Sequence, residues 1–160
     1  MGDWGSFFMA QVGASAALAG LIFVGVSINL AEILASPLLP DLALEALGVL
    51  LTVLLVSTLS LVPGQPTAIF GGELLVVGLT GWALVSARRR RNLRQVPPPH
   101  RWEFAAQTAI GQVATLPFVG AGVAVLFRGD GGLYWVIPGV VFSFMVAFYN
   151  AWVLVVEIKR

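Results

Sequence analysis

Long apolar stretches separated by short polar connections dominate the chain of 160 residues. Five of these stretches reach the length of about 20 mainly apolar residues that a helix needs to cross the hydrocarbon core of a bilayer. They lie at about 7–30, 42–62, 68–87, 104–127 and 133–156. The pattern predicts an all-α, polytopic membrane protein with five transmembrane helices in one transmembrane domain.

Proline, glycine and serine mark the ends of the first three spans. Ser36-Pro37 and the following Pro40-Asp41 predict that the first helix ends near Ala35 and that Asp41 is the N-cap of the second helix. Pro63-Gly64 predicts a tight turn between the second and third spans. The spans are therefore expected to follow one another with little chain between them.

Composition supports the membrane class and removes several kinds of chemistry. The chain is 58% hydrophobic and 11% charged, whereas about a quarter of the residues of a soluble domain are charged. It has no cysteine and one histidine, His100, which excludes disulfides, thiolate nucleophiles and a bis-histidine haem site within one chain. HExxH, GxSxG and P-loop motifs are missing from the sequence. We therefore expect no enzymatic activity, no cofactor and no metal site.

The basic residues predict the orientation of the protein. Most of them lie in one connecting segment, residues 88–103, which the positive-inside rule places in the cytoplasm. The N-terminus is then outside and the C-terminus cytoplasmic. Basic side chains near an anionic leaflet also attract lipid head groups, and this role is predicted for Arg88, Arg89, Arg90, Arg91 and Arg94. A nucleic-acid partner is not expected, because the sequence has no recognisable nucleic-acid-binding module.

The first span combines small and polar residues in a way that contact with lipid alone does not require. Residues spaced by four and three share one helical face, and this spacing relates Gln11, Ser15, Leu18, Ile22, Gly25, Asn29 and Glu32. The seam is polar at both ends and apolar in its middle. Gly13, Ala17 and Gly20 provide a surface for close helix contact beside it. We expect this helix to pack centrally, either as an ordinary packing seam or as a pore face with a constriction at Leu18 and Ile22.

Acidic residues add candidates for an ion path. Glu32, Asp41 and Glu45 are predicted to gather at the inner end of the first two spans, where they would attract cations or coordinate a hard metal. The alternative is that Asp41 and Glu45 favour the start of the second helix and that Glu32 pairs with nearby arginines. Glu73 lies about two turns inside the third span. An intramembrane carboxyl is a functional candidate by default, and the alternative is a structural pair with Arg128, the one basic side chain predicted on the outer side.

Polar residues of the last two spans are predicted to hydrogen-bond between helices. Thr108, Gln112 and Thr115 share one face of the fourth span, and Tyr149 and Asn150 lie in the fifth. Interhelical hydrogen bonds of this kind contribute about 1 kcal/mol each in model systems. These residues are therefore expected to serve packing.

The stretch GASAALAGLIFVGVSIN, from Gly13 to Asn29, resembles the first helix of small bacterial multi-span membrane proteins without an assigned activity. The resemblance covers one helix. It implies a multi-pass protein of a bacterial inner membrane, and it implies no catalytic residue, cofactor or substrate.

Two functions compete on this evidence. The first is a homo-oligomeric ion channel or pore of the inner membrane, in which the first helix of each subunit lines the path and Gln11, Ser15, Leu18, Ile22, Asn29, Glu32, Glu45 and Glu73 are the candidate residues. The alternative is a scaffold or accessory subunit that binds another membrane protein without transport. The sequence favours the channel narrowly, because its first helix has a seam with polar ends and acids at its inner end. It contains neither a potassium-filter sequence nor a convincing inverted repeat.

Overall fold

The protein is helical throughout the part of the chain that the computed structural model describes, residues 4–93 and 101–158, with side chains at 4–88, 111–129 and 131–157. No strand occurs in these ranges. In chain order the elements are α1 (Trp4–Ile28), α2 (Leu30–Ala35), α3 (Leu39–Leu59), α4 (Thr67–Leu93), α5 (Arg101–Arg128), a 3-10 helix (Gly129–Trp135) and α6 (Val136–Ile158).

Within residues 4–93 and 101–158, five helices are long and apolar enough to cross a membrane. The candidate spans are Trp4–Ile28, Leu39–Leu59, Thr67–Arg88, Gly111–Arg128 and Gly131–Glu157. The prediction of an all-α protein with five membrane-spanning helices is confirmed at this level. The protein is a multi-pass membrane protein.

Several predicted boundaries shift by a few residues. The first helix is interrupted at Asn29, although its continuation α2 ends at Ala35 as predicted. Asp41 is not an N-cap, because α3 already begins at Leu39 and Asp41 lies in its first turn. Pro40 is tolerated there since the first turn of a helix needs no backbone N–H from it. The predicted basic loop 88–103 is shorter, because α4 continues to Leu93 and α5 begins at Arg101.

The chain divides into two compact units. The first unit comprises residues 1–63 and 143–160, which include α1, α2, α3 and the C-terminal part of α6. The second unit comprises residues 64–142, which include α4, α5, the 3-10 helix and the beginning of α6.

The core of the first unit belongs to α3. Of its most hydrophobic 18-residue stretch 44% is buried, against 11% for α1, the lowest share among the five spans. A helix that is apolar on all sides, as α3 is, can be covered from several directions. Its fully buried apolar residues are Ala46, Val49, Leu50, Val53 and Val56. The prediction that the first helix packs centrally is therefore wrong: in α1 the buried residues are Phe8 and Ser15.

Glycines bring α4 and α5 together in the second unit. A Cβ added to Gly78 would lie 2.8 Å from the backbone nitrogen of Val119, and one added to Gly122 would lie 2.7 Å from the backbone nitrogen of Leu75. Both distances are shorter than a carbon side chain tolerates. The two helices therefore touch through their backbones, which is how small residues stabilise contacts in membranes.

Candidate functional site: an apolar groove along the first helix

A groove of about 330 Å³ runs between α1 and the C-terminal part of α6, entirely within the first unit. Its walls are apolar except for one amide side chain. The residues that line it are Leu18, Leu21, Ile22, Gly25, Val26, Asn29 and Ile33 on one side and Ala147, Phe148, Ala151, Leu154 and Val155 on the other. We name it the α1–α6 groove.

Small side chains on both walls leave the space open. Gly25 contributes no side chain, and a Cβ added there would meet no atom within 4 Å. On the facing wall Ala147 and Ala151 stand one turn apart. The rim is exposed, with relative exposures of 70% at Leu21 and 60% at Phe148. The groove is therefore open along its length toward the membrane.

The break between α1 and α2 lies at the polar end of the groove. Asn29 leaves the helical conformation, with φ −109° and ψ 27°. Its side-chain Nδ2 donates a hydrogen bond of 2.9 Å to the carbonyl oxygen of Gly25, which also accepts the backbone N–H of Asn29 at 3.3 Å. Because one carbonyl accepts two donors, the amide of Asn29 is fixed against its own helix at the groove wall.

Behind the groove a small apolar cluster joins three helices of the first unit. Ile33 of α2, Leu39 and Ala43 of α3 and Leu154 of α6 are all buried and pack together. Val26 packs against this cluster from α1. The cluster fixes the C-terminal part of α6 beside the α1–α2 break, so the groove is a built feature of the unit.

The predicted pore seam divides into two environments. Leu18, Ile22 and Asn29 line the groove, as the shared-face prediction requires. Ser15 is fully buried instead, and its hydroxyl donates to the backbone carbonyl of Gln11 at 2.6 Å. The seam thus faces protein and an apolar groove, and its polar groups bond largely to their own helix.

The acids of the first unit do not form the predicted group. Glu32 is exposed, whereas Asp41 and Glu45 are half-buried. Among the residues that the structure describes, no three acidic, histidine or cysteine side chains come together in a way that could hold a metal ion. The predicted gathering of Glu32, Asp41 and Glu45 as an ion site is wrong, because Glu32 lies on α2 and points to the surface while the other two lie on α3.

Among the described residues of the first unit, three buried polar atoms have no hydrogen-bond partner. They are Oε1 of Gln11, Oγ of Ser57 and Nδ2 of Asn150, and they come from three different helices. In a membrane such groups are costly unless water or another polar group reaches them. Asn150, at 3% relative exposure, is buried as predicted, but its Nδ2 makes no interhelical hydrogen bond.

Glu73 has a different partner from the one expected. The side-chain amide of Gln65, in the turn before α4, donates a hydrogen bond to Oε2 of Glu73. Arg128 is exposed, and the predicted pair between Glu73 and Arg128 is not formed. The turn at Pro63-Gly64 explains this result, since Gly64 takes a left-handed conformation with φ 69° and the chain then reaches Gln65, which lies over the first turns of α4.

The other polar predictions gave mixed outcomes. Gln112 bonds between helices as expected, because its Nε2 donates to Oγ of Ser86 on α4 at 3.0 Å. Thr115 is buried but donates to the carbonyl of Gly111 on its own helix at 3.2 Å. Tyr149 is 51% exposed, so its predicted packing role is wrong. The side chain of Thr108 lies outside the described residues.

The arginine cluster is only partly described. Arg88 is half-buried within the last turns of α4. The side chains of Arg89, Arg90 and Arg91 and the whole of Arg94 lie outside the described residues. The predicted contact with anionic head groups therefore stays a prediction.

A second feature of α1 lies on the opposite side from the groove. Residues spaced by four and three form an exposed face, which we name the exposed stripe: Gly13, Ala17, Gly20, Val24 and Ser27. Gly20 and Ile22 are two residues apart and so point about 200° away from each other around the helix. A Cβ on Gly13 or Gly20 would meet no atom within 4 Å. The predicted surface for close helix contact therefore exists but is uncovered.

The groove wall on α6 escaped the sequence analysis. The pair Ala147 and Ala151 could have indicated this wall, because it has the four-residue spacing of small residues that also occurs in the first span. The sequence analysis also did not identify the packing glycines of α4 and α5. In an apolar span the sequence does not say which small residues face a neighbouring helix.

The comparisons with known proteins add no constraint. No protein-family model, no curated protein and no solved structure matches the chain. The resemblance of the first span to small bacterial membrane proteins stays a prediction.

Proposed function

We propose that the protein is a non-catalytic assembly subunit of a bacterial inner membrane, and that α1 docks through its exposed stripe against a transmembrane helix of another membrane protein without transport. The observation that carries this proposal is the position of α1. It is the least buried span, and Gly13, Ala17 and Gly20 form a run of exposed small residues along one of its faces.

Small residues on an uncovered membrane helix favour a protein neighbour. Hydrocarbon is as apolar as leucine, so helices associate in bilayers by close packing, and Gly and Ala at spacings of three and four allow that approach. Gly13, Ala17 and Gly20 supply it, while the hydroxyl of Ser27 is already bonded to the carbonyl of Phe23 at 2.8 Å. The stripe is therefore suited to a dry helix contact.

The contacts of the polar and seam residues of α1 argue against the channel as the first candidate function. A pore face needs polar groups or backbone carbonyls directed at a hydrated axis. The hydroxyl of Ser15 and the amide of Asn29 bond to their own helix, and Leu18 and Ile22 face an apolar groove. The exposed stripe has no ionisable residue.

The basic segment orients the proposed subunit. If the arginines from Arg88 onward are cytoplasmic, as the positive-inside rule requires, α1 begins outside and the α1–α2 break lies toward the cytoplasm. The polar end of the groove is then on the inner side. Anionic lipids would balance the charge of this segment.

Photocrosslinking along α1 tests the docking proposal. We expect a photoreactive residue at Ala17, Gly20 or Val24 to form an adduct with one other membrane protein in native membranes, and the same residue at Leu21 or Gly25 to form none. Gly20→Leu should reduce the adduct about tenfold or more, because a bulky side chain holds the helices apart. Adducts without the three-and-four periodicity, or adducts only with a second copy of this chain, would contradict the proposal.

The homo-oligomeric channel remains the second candidate because of the three unpartnered polar atoms. Oε1 of Gln11, Oγ of Ser57 and Nδ2 of Asn150 would all be satisfied by internal water. Water inside the unit is the first requirement of an ion path. In this alternative, copies of α1 would surround a shared axis.

Flux measurements separate the two functions. The assembly proposal predicts that purified protein in liposomes gives no ion flux above that of empty liposomes, and that Leu18→Ser and Asn29→Ala change nothing. Ion flux that Leu18→Ser increases, together with a closed cyclic oligomer in detergent, would establish the channel and remove the assembly proposal.

A further inference from the structure

The α1–α6 groove is too narrow for a helix and wide enough for a hydrocarbon chain. Its two-walled part extends from Ala147 to Val155, eight residue steps of about 1.5 Å or about 12 Å. The volume of about 330 Å³ is the space open to the centre of a water-sized sphere, and dividing it by this length gives a width of about 5 Å for those centres, so the free width between the walls is about 8 Å. A helix, about 10–12 Å across, does not fit. A single hydrocarbon chain does, because its carbon atoms make contact at about 4 Å.

The depth of the groove fits one leaflet of a bilayer. Val155 lies two residues before the charged Glu157, so this end of the groove is close to a membrane surface. From there the groove extends about 12 Å inward, within the roughly 15 Å of hydrocarbon in one leaflet. An acyl chain that enters at Val155 would reach the level of Ala147 without crossing the midplane.

The groove changes from apolar to polar toward the end that lies near the membrane surface. Its inner part is lined by Leu18, Leu21 and Ile22, all apolar. The single polar residue among those that line it, Asn29, lies at the other end. Next to this end Glu32 is exposed and has neither a hydrogen bond nor an ion pair within the described part of the chain. An amphiphile with a hydrocarbon tail and a cationic group would match this arrangement.

We propose that the α1–α6 groove binds one acyl chain of a phospholipid with an ammonium-bearing head group, such as phosphatidylethanolamine. The tail lies between Gly25 and Ala151 and points toward Leu18. The head group lies at the Asn29 end, with its ammonium beside the carboxylate of Glu32. The hydrophobic effect does not hold the lipid in the groove, because the surrounding lipid tails are as apolar as the groove walls. The lipid is held by van der Waals contact with two walls and by the carboxylate of Glu32.

This lipid site is independent of the assembly proposal, because the groove and the exposed stripe lie on opposite faces of α1. Gly25 faces the groove and Gly20 lies on the stripe. A Cβ on either glycine meets no atom within 4 Å, so the backbone at both positions accepts a side chain. The two variants form a matched pair on one helix.

Native mass spectrometry of protein released from nanodiscs that contain equal amounts of phosphatidylethanolamine and phosphatidylglycerol tests the site. We expect one retained phosphatidylethanolamine per chain in the unmodified protein and in Gly20→Leu. In Gly25→Leu the retained lipid should fall about tenfold, because the leucine side chain occupies the groove and removes the contacts of the acyl chain. Circular dichroism establishes that both variants remain helical.

The remaining outcomes each decide the question. Equal retention of lipid by Gly25→Leu and Gly20→Leu would overturn the site. If Gly25→Leu lost a dimer and not a lipid, the groove would hold a protein segment, which would also overturn the site. Glu32→Gln should keep the retained lipid but abolish the preference for phosphatidylethanolamine. If the unmodified protein retains both lipids equally, the head-group assignment is wrong. If Gly20→Leu loses its crosslinked partner but keeps its lipid, the two proposals are separately supported.

Discussion

Gly78→Ala is expected to lower the free energy of unfolding by about 2 kcal/mol. A Cβ at this position lies 2.8 Å from the backbone nitrogen of Val119 and 3.0 Å from the backbone carbonyl carbon of Phe118. Backbone atoms cannot move aside by a rotamer change, so α4 and α5 must separate. This cost outweighs the gain of about 1 kcal/mol that alanine brings to a helix.

Gly72→Ala is the matched control on the same helix. A Cβ there meets no atom within 4 Å, so the variant should be as stable as the original or up to about 1 kcal/mol more stable. Unfolding in mixed micelles with increasing sodium dodecyl sulfate, followed by circular dichroism, measures both. Equal stability of the Gly78→Ala and Gly72→Ala proteins would show that α4 and α5 do not touch at Gly78.

Gly132→Ala is expected to have the largest effect on stability, at least about 3 kcal/mol. Gly132 is buried in the 3-10 helix that follows α5. An added Cβ would overlap the backbone nitrogen of Val125 and the carbonyl carbon of Ala124, and would lie 2.7 Å from the Cα of Val125. The 3-10 helix must then leave the end of α5, which exposes the backbone groups that this contact covers.

The neighbouring glycine supplies the comparison for this prediction. Gly131 is exposed, and a Cβ there meets no atom within 4 Å. Gly131→Ala should therefore change the free energy of unfolding by less than about 0.5 kcal/mol, as surface substitutions usually do. The same unfolding measurement applies. If Gly131→Ala proved as destabilising as Gly132→Ala, the effect would belong to the flexibility of the loop and not to contact with α5.

The two faces of α1 explain why one span suggested two functions. One face lines an apolar groove, and the other is an uncovered stripe of small residues. Both have residues at alternating spacings of three and four, so periodicity alone cannot say which face meets protein and which meets the membrane. The tertiary structure separates them, because Leu18 and Ile22 line the groove while Gly13 and Gly20 are exposed and line no part of it.

Polar side chains were the least predictable part of the candidate site. Glu73 was expected to pair with Arg128, the nearest basic residue in the predicted topology, but the neutral amide of Gln65 lies closer and satisfies it. Whether Gln65 or Arg128 is the partner of Glu73 depends on the path of the turn at Gly64. A hydroxyl such as that of Thr115 can also bond to its own helix one turn back, and nothing in its sequence spacing distinguishes that bond from one between helices.

The sequence by itself determined that this is an all-helical protein with five apolar spans, because the length of an apolar stretch needed to cross hydrocarbon is a property of the chain alone. It also determined which residues of the first span share a face. Only the tertiary structure decided that α3 and not α1 forms the core of the first unit, that Gly25 and Ala151 line a common groove, and that Gly20 faces outward. The physical reason is that a bilayer accepts apolar side chains on every face of a span, so hydrophobicity does not orient the helices there, and close contact between particular small residues does.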